Sequence, residues 1–154
     1  MINDKITIIT VVKNDDTGLL RTLSSIARQP VAPYETIVVS PSPNHIAHIT
    51  GSFSRVRVLS DIGRGVYSAM NVGHKALRTK LVMYLNAGDE ISGNPLADIT
   101  GPGFIRYRVV GAKFSRMARA GFHFTVLGTG YCHQAVVFTS NHTPYNTELE
   151  VSAD

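Results

Sequence analysis

Cysteine occurs once, at Cys132, and tryptophan does not occur at all. One thiol excludes a disulfide within the chain and any zinc site built on several cysteines. It also leads us to expect a reducing, cytoplasmic setting. Long apolar runs are missing too. The longest, around Ile6–Val12, is far shorter than the twenty or so residues that a membrane-spanning helix needs, so any membrane contact would be peripheral. The polar start that runs straight into a strand pattern predicts no signal peptide. Charge is sparse at 17% of residues and sums to only +4. That suits an anionic partner without demanding one. Hydrophobic residues make up 44% of the 154, which is enough for one globular domain over 1–154 and argues against disorder.

The apolar residues are arranged in alternating patterns. Ile6 to Val12 (ITIITVV) is β-branched and almost continuous, as in a strand covered on both faces. Asn14 and Asp15 are helix-start residues, and Leu19, Leu20, Leu23 and Ile26 then recur at helical spacing up to Pro30. Thr36–Val39 predicts a second strand, which Pro41 and Pro43 close, and a short helix through Ile46 and Ile49 follows. Val56–Leu59 predicts a third strand, Val66–Leu77 a second long helix, and Leu81–Leu85 a fourth strand. Strands and helices in alternation argue for a Rossmann-like α/β fold with a mostly parallel sheet. Its right-handed crossovers bring the carboxyl ends of the strands to one edge, where such sheets bind ligands. After Gly93 the pattern changes. Glycines punctuate short strand-like runs such as Phe104–Val110 and Ala135–Thr139, and no helix is evident. These predict a small antiparallel appendage completing the same domain. The division is 1–92 for a ligand-binding half and 93–154 for the remainder.

Two loops carry the candidate chemistry. Tyr84–Glu90 (YLNAGDE) ends a buried strand abruptly in an amide, a small residue, a glycine and an acid. Asp89 can offer a carboxylate to a hard divalent cation, Mn²⁺ or Mg²⁺, which takes oxygen ligands and leaves positions open for phosphate. Gly88 lets the backbone approach a ligand closely. The same letters also make an ordinary turn. Asp61–Asn71 joins a strand to a helix, with Arg64 ahead of Gly65 at the helix start. Free N–H groups and the positive dipole end there welcome an anion, and Arg64 adds a forked donor. His133 precedes the last apolar strand, and an acidic run ends the chain at Asp154. Taken singly, these read as a structural histidine and a solvated tail.

In order along the chain, these segments resemble glycosyltransferase family 2, and the chain is similar to a short bacterial or phage-like member. ITIITVVKND (6–15) resembles the family's first strand and donor loop. DIGRGVYSAMNVG (61–73) resembles its acid-x-D-x-G-[IV]-Y-D-A-M-N-x-G segment, YLNAGDE its L-N-[AS]-[GD]-D metal motif, YCHQAVVF (131–138) its C-H-Q-A strand, and YNTELEVSAD (145–154) its Y-D-x-x-x-x-[IV]-[AS]-A-D ending.

The resemblance implies a GT-A fold and metal-dependent, inverting transfer of a sugar from a nucleotide-sugar donor, with a UDP-sugar as default. The acceptor would be a saccharide or a lipid-linked saccharide, as in polysaccharide biosynthesis. It implies that Asp89 holds the cation with Asn86 and Ala87 nearby, and that Asp61, Arg64 and Gly65 contact the donor. Thr10, Val11 and Asn14 would line the base pocket, His133 would sit beside the diphosphate or the acceptor, and Asp154 would be the general base. The pattern is broken at Ser40, Gly63 and Ser68, where the family carries acids. A nucleotide-sugar binder that kept the fold without strong catalysis is therefore the alternative. In relatives a helix follows the last acid, whereas the sequence stops at Asp154, as either a minimal enzyme or a truncated chain would.

Arg106, Arg108, Lys113, Arg116 and Arg119 form a basic stretch interleaved with aromatics. It reads as a solvated strand face with a diphosphate contact, ahead of a nucleic-acid or anionic-lipid surface. A homodimer covering exposed surface is a further expectation.

Overall fold

The computed structural model describes residues 1–61, 64–105, 107–110, 115–118 and 133–148. Four strands, β1 (Ile2–Val11), β2 (Ala32–Ser40), β3 (Val56–Ser60) and β4 (Leu81–Tyr84), pair in parallel in the order β3-β2-β1-β4. The sheet continues through β8 (Val136–Thr139), antiparallel to β4, and ends at β5 (Gly103–Phe104). It is a mostly parallel α/β sheet with antiparallel strands at one side.

Both faces of β1 are covered, which is why its sequence does not alternate. Ile6, Ile8 and Val12 pack with Leu19, Leu23 and Ile26 of α1 (Asp16–Ala27) and with Ile46 and Ile49 at α2 (Ala47–Thr50). On the other face Ile9, Ile37, Val39, Val82 and Tyr84 pack with Ala69 and Met70 of α3 (Val66–Lys75). Each Leu or Ile so enclosed contributes about 1.5–3 kcal/mol. Helix α1 starts where Asp15 Oδ1 accepts the Gly18 N–H at 2.8 Å, an N-cap bond. Of its leucines, Leu20 is exposed and falls off the buried stripe, because only Leu19, Leu23 and Ile26 keep the period that faces β1.

The region after Gly93 differs from the sequence pattern in two ways. One helical turn, α4 (Pro95–Asp98), forms with proline in its first turn, where a missing N–H costs nothing. The run Phe104–Val110 is two strands. Gly103–Phe104 pairs with β8, whereas β6 (Tyr107–Val110) pairs with β7 (Ser115–Ala118) in a separate two-stranded sheet. Arg108 lies on β6 and Arg116 on β7. Arg106, Lys113 and Arg119 lie outside the described residues.

Candidate active site

The carboxyl ends of β1 to β4 form one continuous edge. Backbone bonds carry the pairing past the strands: Val12 N–H to Val39 O (3.0 Å), Asp61 N–H to Ser40 O (3.1 Å), Leu85 N–H to Ile9 O (2.9 Å) and Ala87 N–H to Val11 O (3.2 Å). Val11, Ser40, Asp61 and Ala87 therefore stand along the same rim.

From β4 the chain enters the loop Asn86–Glu90. It turns at Gly88, whose φ of 100° is the left-handed region, and the Asp89 N–H closes back on Asn86 O at 3.1 Å. Asp89 is half-buried, and its carboxylate accepts a hydrogen bond from the Gln134 side-chain amide. That contact follows from topology. β8 runs antiparallel to β4 with Val137 opposite Met83, so the 3₁₀ turn His133–Ala135 that precedes it arrives beside the end of β4. The YLNAGDE and CHQA segments, 45 residues apart in sequence at Asp89 and Gln134, thus meet. Sequence reasoning had singled out His133 in this turn; Gln134 makes the contact, and the His133 side chain lies outside the described residues.

Asp61 is half-buried just past β3. Arg64 and Gly65 are exposed, and Gly65, with φ of 101°, is the N-cap of the ten-residue helix α3, which starts from the loop that leaves β3 at this edge. Val11 is half-buried at the rim and Asn14 is exposed beyond it. Thr10 is wholly buried. It alternates with Ile9 and Val11, so it lies under α1 with Ile8 and Val12, and its hydroxyl has no partner among the described residues. Ser40 is also wholly buried, and its hydroxyl accepts the Ser42 N–H at 3.2 Å, capping the turn at Pro41. The position that carries an acid in the resemblance is here turned inward. Asp154, Gly63 and Cys132 lie outside the described residues.

The sequence pattern of Glycosyl transferase family 2 matches residues 7–101, well over half of the chain. The chain belongs to glycosyl transferase family 2. No curated protein matches it. Among solved structures, it is similar to S. aureus TarS 1–349 in complex with UDP, at 20% identity and a TM-score of 0.53, over 61% of this chain and 30% of that one. The same TarS fragment in complex with UDP-GlcNAc gives 20%, 0.53, 61% and 29%. A mannosyltransferase, PcManGT from Pyrobaculum calidifontis in complex with GDP-Man and Mn²⁺, gives 16% identity and a TM-score of 0.50, over 58% of this chain and 29% of that one. The family 2 chain thus spans less than a third of the length of these structures. The likeness establishes the GT-A fold.

Among the described residues of this family 2 chain, no group of three or more His, Cys, Asp or Glu is placed to hold a metal ion. Within the Asn86–Glu90 loop the donors nearest Gln134 are the Asp89 carboxylate and the Asn86 amide oxygen, which is buried and without a partner among the described residues. A closed structural metal site does not fit that set. A hard cation bound through one carboxylate and completed by ligand phosphates and water does. No described helix is long and apolar enough to cross a membrane.

Sequence reasoning passed over the residues that hold the loop itself. Thr22 and Ser25 of α1 are both wholly buried, and Gln29 just beyond the helix nearly so. The Thr22 hydroxyl accepts the Gly88 N–H (3.0 Å) and donates to Asp89 O (2.7 Å), with Asn86 O at 3.3 Å. Ser25 Oγ accepts the Ile91 N–H at 3.0 Å, and Gln29 Nε2 donates to Ile91 O at 3.4 Å. Arg21 adds an exposed bond to Gly88 O at 3.3 Å. The available signal was Thr22, Ser25 and Gln29 at helical spacing along an otherwise apolar face.

Proposed function

We propose that the chain is a metal-dependent, inverting glycosyltransferase that moves a sugar from a nucleoside-diphosphate donor to a hydroxyl of a saccharide or lipid-linked saccharide. The reading rests on one observation above the others. The Asn86–Asp89 loop and the Gln134 turn meet at the carboxyl edge of the sheet, the edge from which the loop leading to the Gly65 start of α3 also leaves β3. Family membership and the nucleotide complexes of TarS and PcManGT support it.

Asp89, oriented by Gln134, would hold Mn²⁺ or Mg²⁺ together with the donor diphosphate, with Asn86 close by. When bound, such a cation neutralises the charge that builds on the leaving nucleoside diphosphate. The N-terminal end of α3 at Gly65 and the Arg64 guanidinium would take diphosphate oxygens, which anchors the donor at both ends of the phosphate pair. Asp61, Val11 and Asn14 would line the nucleoside side, with Thr10 supporting them from beneath. His133 would approach the diphosphate or the acceptor. Asp154 would accept the proton from the acceptor hydroxyl as it attacks the anomeric carbon from the face opposite the leaving group. UDP is the default donor nucleotide.

Incubation with UDP- and GDP-sugars, a saccharide acceptor panel and Mn²⁺ should give turnover that Asp89→Ala lowers by at least about a hundredfold, as expected for losing a ligand and not merely its supporting partner. Turnover unchanged in that variant would refute the metal role. The inward-turned Ser40 hydroxyl favours a second reading, a nucleotide-sugar binder without strong catalysis. Metal-dependent nucleotide binding in calorimetry, with no turnover across the panel, would select it.

A further inference from the structure

We propose that Thr22, backed by Ser25, is the positioning residue that sets the Asp89 loop for its cation and diphosphate, so that helix α1 tunes metal affinity from beneath the site. The inference rests on the metal-dependent reading above.

A hydroxyl inside a helix normally returns its proton to a carbonyl one turn back, and contributes nothing elsewhere. Ser25 does this, donating to Thr22 O at 2.8 Å. Its lone pairs are thereby left facing out, and one accepts the Ile91 N–H at 3.0 Å. Thr22 sends its proton forward instead, to Asp89 O at 2.7 Å, and accepts the Gly88 N–H at 3.0 Å on the same oxygen. One hydroxyl therefore fixes the peptide groups on both sides of the Gly88–Asp89 step, which is where the φ of 100° occurs. Loop peptides next to a sheet edge have no ladder of their own, and buried N–H and C=O groups must find partners. Here those partners come from α1, locked in place by its packing on β1 through Leu19, Leu23 and Ile26.

The consequence concerns Asp89. With its N–H closed on Asn86 O and its C=O held by Thr22, the backbone of Asp89 is fixed on both sides. Gln134 then restrains the carboxylate. A ligand placed this way binds its cation without first being ordered, and loss of a supporting bond of this kind typically weakens metal affinity or activity about 10–100-fold. The Thr22 hydroxyl bonds backbone groups of the loop, and it is through them that it acts.

The test uses the full chain and two readouts. Amide hydrogen exchange reports the loop, and calorimetry with UDP or GDP, with and without Mn²⁺, reports the site. Thr22→Val removes the hydroxyl and keeps the shape, Thr22→Ser restores the hydroxyl, and Ser25→Ala is an independent second lesion if Thr22→Val does not fold. Ile26→Val on the same helix controls for general loss of packing. We expect Thr22→Val to expose the Gly88 amide to exchange and to weaken the Mn²⁺-dependent part of nucleotide binding about tenfold. Thr22→Ser should behave like the wild type, and Ile26→Val should leave both readouts in place. Unchanged exchange at Gly88, unchanged Mn²⁺ dependence in a loosened loop, or equal loss in Ile26→Val would each overturn the inference. Wild-type protein that shows no Mn²⁺-dependent nucleotide binding, with Gly88 exchange still governed by Thr22, would instead bring down the functional reading, and with it the role assigned to the loop.

Discussion

A Cβ built on Gly73 falls 2.8 Å from Cγ2 of Ile9, closer than packed carbons tolerate. Glycine in the middle of a helix costs about 1 kcal/mol relative to alanine. It is kept in α3 because this is where the helix lies directly on the central strand. Cγ2 is attached next to the backbone of β1 and cannot swing aside as the tip of a longer chain would. Overpacking of this kind costs about 1–3 kcal/mol, which outweighs the gain in helix propensity. Gly73→Ala should therefore lower the stability by about 1 kcal/mol, read as a lower urea midpoint at unchanged slope. A midpoint at or above that of the wild type would show that α3 has room to lift. Residues of this sort are hard to read from sequence. Gly73 appears there only as the last letter of a motif, and Ser40 only as a missing acid. Its actual role, a buried hydroxyl capping the Pro41 turn, depends on which way the strand end faces.

At the scale of elements, legibility followed how local the determining forces are. Val66–Leu77 and Leu81–Leu85 are close to the observed α3 and β4 because period, caps and apolar runs are properties of the segment itself. The loop at Asn86–Asp89 was readable for the same reason, since polar and turn residues follow a buried strand without transition. Phe104–Val110 was read as one run because nothing within it tells that Phe104 will pair with Val136 and Val110 with Ser115. The Thr22 contacts were hidden likewise, because a helical hydroxyl has several possible partners and only the fold selects one. A second side-chain device at this scale joins α3 to the segment after β8. Asn71 Nδ2 donates to Tyr145 O and Asn71 Oδ1 accepts the Tyr145 N–H, both at 2.9 Å, and Tyr145 stacks on Tyr67 at 5.2 Å. The asparagine amide replaces a strand partner for that peptide. Asn71→Ala removes both bonds, each worth about 0.5–1.5 kcal/mol. The Tyr145 amide should then lose exchange protection while those of β1 keep theirs. Retained protection at Tyr145 would mean that the ring stack alone holds the segment.

Over the whole molecule, helix, sheet and the chain after β8 come together at three side chains. His74 of α3 lies with Nδ1 3.1 Å from the Tyr84 hydroxyl of β4, and that hydroxyl lies 2.9 Å from Nε2 of His142. The two imidazoles are 4.4 Å apart, with Phe138 and Tyr145 against His142. Burial first, and His142 second, hold His74 below the ordinary histidine value of 6.5, and the Ser140 carbonyl opposes them only in part. Burial also pushes the Tyr84 phenol well above its ordinary range, so it stays a neutral hydroxyl between the two rings. The sign of the linkage follows. Below about pH 6.5 the unfolded chain takes up a proton at this histidine more readily than the folded one, so the folded state loses stability as the pH falls. Urea midpoints should therefore decline from pH 7.5 to 5.5. His74→Gln, which keeps a polar group near Tyr84 but cannot titrate, should flatten that decline whatever its own cost in stability. Equal pH slopes in the two proteins would assign the acid sensitivity to another group. A steeper slope in the variant would reverse the sign argued for His74. The segment most exposed to this protonation is the one that Asn71 also holds. Acid should therefore loosen residues 140–146 before it loosens β1, and the Tyr145 amide should lead in exchange as the pH is lowered.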